Sequence, residues 1–515
     1  MPRFAIPARS FRARSPSPRP RPGLARLRDA AGPWDVLVIG GGATGLGAAV
    51  DAAARGYATV LLEQGDFAQA TSSRSTKLVH GGLRYLKQGN FSLVRESLLE
   101  RNRLLANAPG LVRPLDFIVP LERWYDRPFL GTGLKLYDWL ARGRQPHVSH
   151  HLSVNETLQR IPNIRAAALR GGVLYSDAQF DDARLAITLA ATAAAQGAVV
   201  LNYTPVESLL REGGRVVGVE ARDTETGATF AVHARAVINA TGIFTDALRQ
   251  QEDPAAPRIM AYSQGSHVVL PREFFPGDAA MLVPKTSDGR VLFLVPWLGR
   301  VILGTTDTPV PAAEMEPRAL ATEVDFLLEH AAHYLERQPA PGDIRSVYAG
   351  IRPLVSGAPG ANTAKLSRDH TVLVGKGGLV TITGGKWTTY RRMAEDAVTR
   401  AAQVGGLDPK ACVTADLKLA ATEPAGADET PLHPDLTLTR TAVLRAVRQE
   451  SARRLDDVLS RRSRSLLLDA RATLAVAPAV ADLMATELGW DAARREREVV
   501  GFLTLARSYL PPGSQ

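Results

Sequence analysis

From Asp35 onward the chain alternates between short apolar runs and longer amphipathic stretches. Val36–Ile39 reads as a strand buried on both faces, Ala43–Arg55 as an alanine-rich helix ended by Gly56, and Thr59–Leu62 as a second strand. Residues 91–107 repeat apolar positions at helical spacing and stop before Pro109 and Pro114. The stretch 111–150 is irregular and aromatic, and Trp124, Tyr125, Tyr137 and Trp139 are expected to pack in the core. Asp181 or Asp182 caps a helix that Gly197 closes. Segments between 198 and 242, and again between 260 and 308, have β-type pattern with glycine turns, and Ser287-Asp288-Gly289 marks a hairpin. Strand–turn pattern returns over 343–353 and 366–390, followed by a helix from Thr388 to Val404. Residues 421–435 are rich in proline and acid and read as linker, and 437–510 is expected to be helical throughout.

This pattern predicts an α/β chain of several domains, as a length of 515 residues requires. A first domain combines 31–110 with 171–259 and 343–405. A second, built mainly of antiparallel β structure, combines 111–170 with 260–342. A linker over 406–435 leads to an all-helical cap over 436–515. Residues 1–30 are arginine- and proline-rich and read as a disordered tail. A targeting peptide remains open there, although the prolines break the helix such peptides use.

Charge and cysteine usage narrow the chemistry. The net charge is +10, but residues 1–29 carry eight arginines and one aspartate, so the rest of the chain is close to +3. Such a body is no polyanion-binding surface, and nucleic acid is not an expected partner. Cys412 is the one cysteine, and the ten histidines show no metal-ligand spacing, so no metal site is expected. No apolar stretch is long enough to span a bilayer.

Gly40, Gly42 and Gly45 form G-x-G-x-x-G between the first strand and the first helix. The first permits the turn, the second the approach of a pyrophosphate, and the third close helix–strand packing. Glu63 ends the second strand, where a carboxylate accepts from a ribose 2′-hydroxyl and repels a 2′-phosphate. The set predicts a dinucleotide without deciding between FAD and NAD. Directly after it, TSSRSTKLVHGGLRYL (71–86) concentrates hydroxyls, cations and a histidine in one loop. Ala240-Thr241-Gly242 follows a later apolar strand, and Gly384-Gly385-Lys386 opens a helix, a second anion- or flavin-facing turn.

These motifs, with INATGIFTD (238–246), GSHVVLP (265–271), LGTTDT (303–308), AGIRPL (349–354), SRDH (367–370), TGGKWTTYR (383–391) and ESARRLDDVLSRRSR (450–464), resemble FAD-dependent glycerol-3-phosphate dehydrogenases over roughly residues 33–510. The departures are SQG before His267, where lysine is frequent, Ile243-Phe244 where proline is common, and the lack of an EF-hand loop. The resemblance implies a Rossmann-like, D-amino-acid-oxidase-like FAD domain with an antiparallel substrate domain and a helical cap. It implies FAD as cofactor and oxidation of sn-glycerol 3-phosphate at C2, with a quinone as electron acceptor. Oxygen as acceptor and a homo-oligomeric state stay open. It places the protein in the cytoplasm, peripherally on the inner face of the cell membrane. For Arg461, Arg462 and Arg464 two readings stay open, contact with anionic headgroups or a place at helix ends in water.

For the chemistry, His267, Arg352 and Lys386 are the expected catalytic groups, His267 for its titration near neutrality and Arg352 as the alternative stabiliser of an alkoxide. Arg84, Tyr85 and Arg368 are expected on the substrate phosphate, with arginine supplying a bidentate fork. The cofactor is expected on Gly40, Gly42, Gly45, Glu63, Ser72, Ser73, Ser75, Lys77, Leu78, His80, Ala240, Thr241, Gly242, Gly385, Lys386 and Thr388.

Overall fold

The structure, a computed structural model, describes residues 21–82, 86, 89–122, 126–141, 147–167, 169–283, 286, 290–355, 369–420 and 429–514. Arg84, Tyr85, Arg368, Trp124, Tyr125 and the Ser287-Asp288-Gly289 turn lie outside the described residues.

The apolar run at Val36 is the centre of the first sheet. Trp34–Ile39 pairs in parallel with Thr59–Leu62 on one side and with Thr229–Asn239 on the other. Val199–Leu201 continues the sheet in parallel beyond Thr59–Leu62, and Val380–Gly384 does so beyond Thr229–Asn239. His370–Val374 closes that edge antiparallel. Val36, Leu37 and Val38 have no exposed surface because both faces are covered, one by helices and the other by Pro22–Arg28 and the strand Arg215–Arg222. On one face Ala43–Ala54 packs beside Asp182–Ala195 and Tyr390–Val404. Its small residues permit the close approach: a side chain at Gly47 would stand 2.8 Å from the Tyr390 ring. On the other face lies Pro22–Arg28, whose Leu24 and Leu27 bury themselves with Val199 and Leu201. The end of the expected tail is therefore ordered helix, because two leucines three apart share one helical face.

The second sheet runs Thr308–Val310, Met260–Pro271, Arg300–Gly304, Leu292–Trp297, Ala280–Val283, Val112–Pro120, Gly172–Phe180, Leu78–Val79. Ser346–Val355 pairs along nearly the whole length of Met260–Pro271. Two expected boundaries move accordingly. Gly172–Phe180 and Ser346–Val355 belong to this sheet rather than to the dinucleotide domain, each fixed by an unbroken register of partners. The stretch 111–150 is not irregular either: it holds the strand Val112–Pro120 and the helix Asp126–Leu140. Pro114 is tolerated because the second neighbour, Ala280–Val283, pairs only at Phe117 and Ile118. On the helix, Tyr137 is fully buried whereas Trp139 is 73% exposed, against the expectation of core packing. Residues two apart on a helix point to nearly opposite sides.

The cap consists of Arg440–Gln449, a π-helical turn at Asp457–Arg462, Ser465–Leu468, Ala470–Leu488 and Ala492–Arg507. Its Leu455, Leu466 and Val476 share one apolar cluster with Phe117, Tyr175, Trp297 and Tyr348 of the second sheet. Within the expected linker, residues 406–420 lie against the first domain: Tyr57 donates to the Asp408 carbonyl at 2.7 Å, and Leu419 to the Asn107 carbonyl at 2.9 Å. Among the described residues, no helix is long and apolar enough to cross a membrane.

Candidate active site

A cleft of about 230 Å³ opens at the carboxyl ends of the first sheet. Its walls include Gly40, Gly42, Glu63, Ser72, Ala240, Thr241 and Gly242. Gly40 has φ +111°, and a side chain there would meet the Ala240 carbonyl oxygen at 2.6 Å. A side chain at Gly45 would overlap the Gly40 carbonyl oxygen outright. Gly45 thus packs behind the turn and does not line the cleft, as the fingerprint's geometry requires. Ser72 Oγ accepts from the Ala43 amide at 2.9 Å, the first amide of the helix. The next turn of amides carries no side-chain cap, leaving a positive helix end toward the cleft. Gly45→Ala should therefore cost about 2 kcal/mol through forced displacement of the helix. The check is thermal unfolding together with cofactor content, and an unchanged midpoint with full loading would refute it.

Glu63 accepts from the Gly41 amide at 2.6 Å and the Gly65 amide at 2.8 Å. Burial pushes its carboxyl above the ordinary value, against those two amides, which favour the charged form. Each oxygen retains a lone pair that a diol could fill.

At Thr71 the cleft meets a second cavity of about 340 Å³. This one brings together His267, Arg352 and Lys386 with Leu78, His80, Gly385 and Thr388. Thr388 Oγ1 lies 3.3 Å from both the amide and the carbonyl of His80, tying the Gly384-Gly385-Lys386 turn to the loop after 71. Arg352 donates to Thr305 Oγ1 and to the Thr306 carbonyl, both at 2.9 Å, and pairs with Asp307 at 3.3 Å. His267 Nε2 lies 2.9 Å from Thr76 Oγ1, and its ring stacks on Tyr348 with centroids 4.5 Å apart. Burial, then the cations of Lys77 and Arg352, hold the imidazole well below its ordinary 6.5. Thr76, Tyr348, Thr305 and Asp307 are absent from the sequence-based set. The motif LGTTDT signalled the last two, and nothing local singled out Tyr348.

Other expected contacts are corrected. Ser73 and Lys77 line neither cavity. Lys77 has φ +62°, which turns its side chain inward, where Nζ donates to Asp182 and to the Ser73 carbonyl, both at 2.7 Å. Ser75 borders the second cavity, but its Oγ is committed to Asp182 at 2.7 Å. Arg461, Arg462 and Arg464 are buried and cannot meet headgroups. The first two pair with Asp66, and Arg464 pairs with Asp182. Buried charge must be paired, and these two aspartates supply the partners.

Comparison with known proteins gives a consistent result. A family model described as FAD dependent oxidoreductase matches residues 35–391. A second, the C-terminal domain of alpha-glycerophosphate oxidase, matches residues 383–495. The chain is 37% identical over 522 residues to the probable mitochondrial glycerol-3-phosphate dehydrogenase of Caenorhabditis elegans, covering 90% of this chain and 72% of that one. It is 37% identical over 535 residues to the mitochondrial glycerol-3-phosphate dehydrogenase of Homo sapiens, covering 93% and 73%. Among solved structures, the glycerol-3-phosphate dehydrogenase from Bacillus halodurans complexed with FAD superposes with a TM-score of 0.77 at 28% identity, covering 95% of this chain and 98% of that one.

Proposed function

The chain belongs to the FAD-dependent glycerol-3-phosphate dehydrogenases, and on that premise we propose that it converts sn-glycerol 3-phosphate to dihydroxyacetone phosphate in the second cavity, with a membrane quinone as final acceptor. The observation that carries this reading is the convergence of one buried imidazole and the cations Arg352 and Lys386 on a cavity that shares Thr71 with the dinucleotide cleft. The ADP half of FAD fits that cleft: behind the amide that Ser72 holds, the helix end offers further amides to the pyrophosphate, Glu63 offers a carboxylate to the ribose, and Gly40 leaves the backbone bare where it passes Ala240. When bound, FAD supplies the two-electron sink for the C2 hydrogen and relays the electrons onward.

The residues divide the remaining work. His267 takes the C2 hydroxyl proton on a nitrogen of its neutral ring. Its low basicity calls for a stabilised alkoxide, which Arg352 provides while Thr305, Thr306 and Asp307 hold its fork still. Lys386 supplies a second cation; Arg84, Tyr85 and Arg368, which the sequence assigns to the substrate phosphate, lie outside the described residues. Because the imidazole is held below 6.5, His267 is in its base form throughout the neutral range. The pH profile of kcat should therefore show no acid limb near 6.5; a limb centred there and lost with His267→Asn would contradict the assignment. Anaerobic addition of sn-glycerol 3-phosphate to the purified yellow protein should bleach its visible spectrum. A colourless protein, or a spectrum the substrate leaves unchanged, overturns the reading. Recovery of the bleached form with a quinone analogue faster than with air supports the quinone; the reverse assigns oxygen.

Attachment to the inner face of the cell membrane follows from a lipid-soluble acceptor. The most exposed large apolar side chains among those described, Trp139 and Val148, lie on one local unit: Ser149 Oγ and its amide bond Asp138 on the helix that carries Trp139. Tryptophan suits an interfacial anchor. Trp139→Ala should reduce cosedimentation with anionic liposomes; unchanged binding removes this patch from the reading.

A further inference from the structure

The arginines read as lipid-facing or solvated are instead buried against the loops that flank the two cavities, and Arg464 reaches the reacting histidine through a short chain of contacts. Arg464 stands at φ +64° two residues past the end of the π-helical turn, a backbone that few side chains adopt. Its fork donates to the Ser460 carbonyl at 3.0 Å, the Ser73 carbonyl at 2.8 Å and Asp182 at 3.0 Å. Asp182 in turn gathers the 73–77 loop, accepting from the Ser75 amide at 3.0 Å, Ser75 Oγ at 2.7 Å and Lys77 Nζ at 2.7 Å. Arg464, Asp182 and Lys77 expose 1%, 0% and 0% of their surface, so no water competes for these bonds.

Within that gathered loop the residue between Ser75 and Lys77 is Thr76, whose hydroxyl meets His267 Nε2 at 2.9 Å. Tyr348, stacked on His267, donates to the Ser75 carbonyl at 3.1 Å. Lys77 lies over the other partner, 5.1 Å from the Tyr348 ring centre. The imidazole is thus held edge-on by Thr76 and face-on by Tyr348, and both holds are anchored on the same three-residue stretch. An ordinary interdomain salt bridge does not require this convergence.

We propose that Arg464 of the helical cap is a positioning residue of the active site, acting through Asp182 and the 73–77 loop to set the His267 ring. The inference rests on the reading of His267 as the proton acceptor. It makes the cap part of the catalytic assembly, with Arg464 touching neither substrate nor cofactor.

A double-mutant cycle on holoenzyme tests it. Arg464→Met, Thr76→Val and the pair are compared by the rate at which saturating sn-glycerol 3-phosphate bleaches the flavin anaerobically, per bound flavin. The substrate concentration for half-saturation and the affinity for FAD, from fluorescence titration of apoprotein, are measured alongside. Each single substitution should slow bleaching roughly tenfold, and the pair should be no slower than about twice the worse single, because residues on one path do not add. Half-saturation and FAD affinity should stay within about threefold in all variants. Losses that multiply, a bleaching rate for Arg464→Met within about twofold of wild type, or a loss of FAD affinity in step with the rate each overturn the proposal. Should Arg464→Met give no holoprotein, the isosteric Asp182→Asn breaks the same path one link further in. Its loss must likewise fail to multiply with that of Thr76→Val. If the reading of His267 itself were wrong, His267→Asn would bleach at the normal rate; if only the present inference were wrong, His267 would stay essential while the two losses multiplied.

Discussion

His267→Asn should slow bleaching of the flavin by substrate about a thousandfold while the resting spectrum and FAD content stay those of the wild type. Asparagine keeps a polar group of similar reach but accepts no proton. His267 borders the second cavity and not the dinucleotide cleft, so loading should not change. The effect should fall on the reductive half-reaction alone. Chemically reduced variant should pass electrons to a quinone analogue at the normal rate. A loss confined to reoxidation, or a rate within tenfold of wild type, would show that another group takes the proton.

Arg352→Ala should lower kcat/KM on the order of a hundredfold, or about 3 kcal/mol, as expected for a lost charge-assisted partner in the transition state. Arg352 also lies outside the cleft walls, so flavin content should again be unchanged. Arg352→Lys should recover little. A lysine ammonium cannot reproduce a fork that bonds Thr305 and Thr306 through one nitrogen while the other faces Asp307. Activity of Arg352→Ala within about twofold of wild type would remove Arg352 from the mechanism.

Local pattern carried most of the dinucleotide half. Strand, glycine turn, helix and acid fall within thirty residues, and Gly40 and Gly45 are each required by a backbone atom of the same turn or its neighbour. The pairing of charges was not legible. Nothing around Arg461 and Arg462 reveals that Asp66, 395 and 396 residues away, will receive them in the interior. A run of arginines is therefore read as solvated or lipid-facing. The loop 71–80 was legible as a functional segment but not residue by residue. Thr76 faces His267 while Lys77 beside it turns away, and a single left-handed backbone angle decides which does which. The D-amino-acid-oxidase-like fold with its helical cap was legible through motifs spread along the chain. The exchange of Gly172–Phe180 and Ser346–Val355 between sheets was not, because strand periodicity says nothing about partner.

The central strand Trp34–Ile39 obtains its second neighbour only from Thr229–Asn239, and that strand is continued in turn by Val380–Gly384. On a ribosome adding about 5–20 residues per second, the first strand waits on the order of ten seconds or more with an unpaired apolar edge. Neither sheet can be finished before the chain has crossed between them several times, so contacts distant in sequence dominate and spontaneous folding should be slow. Newly made chain should accordingly depend on holdase chaperones until residue 384 has emerged. Fragments ending before that point should aggregate rather than accumulate as a free nucleotide-binding domain.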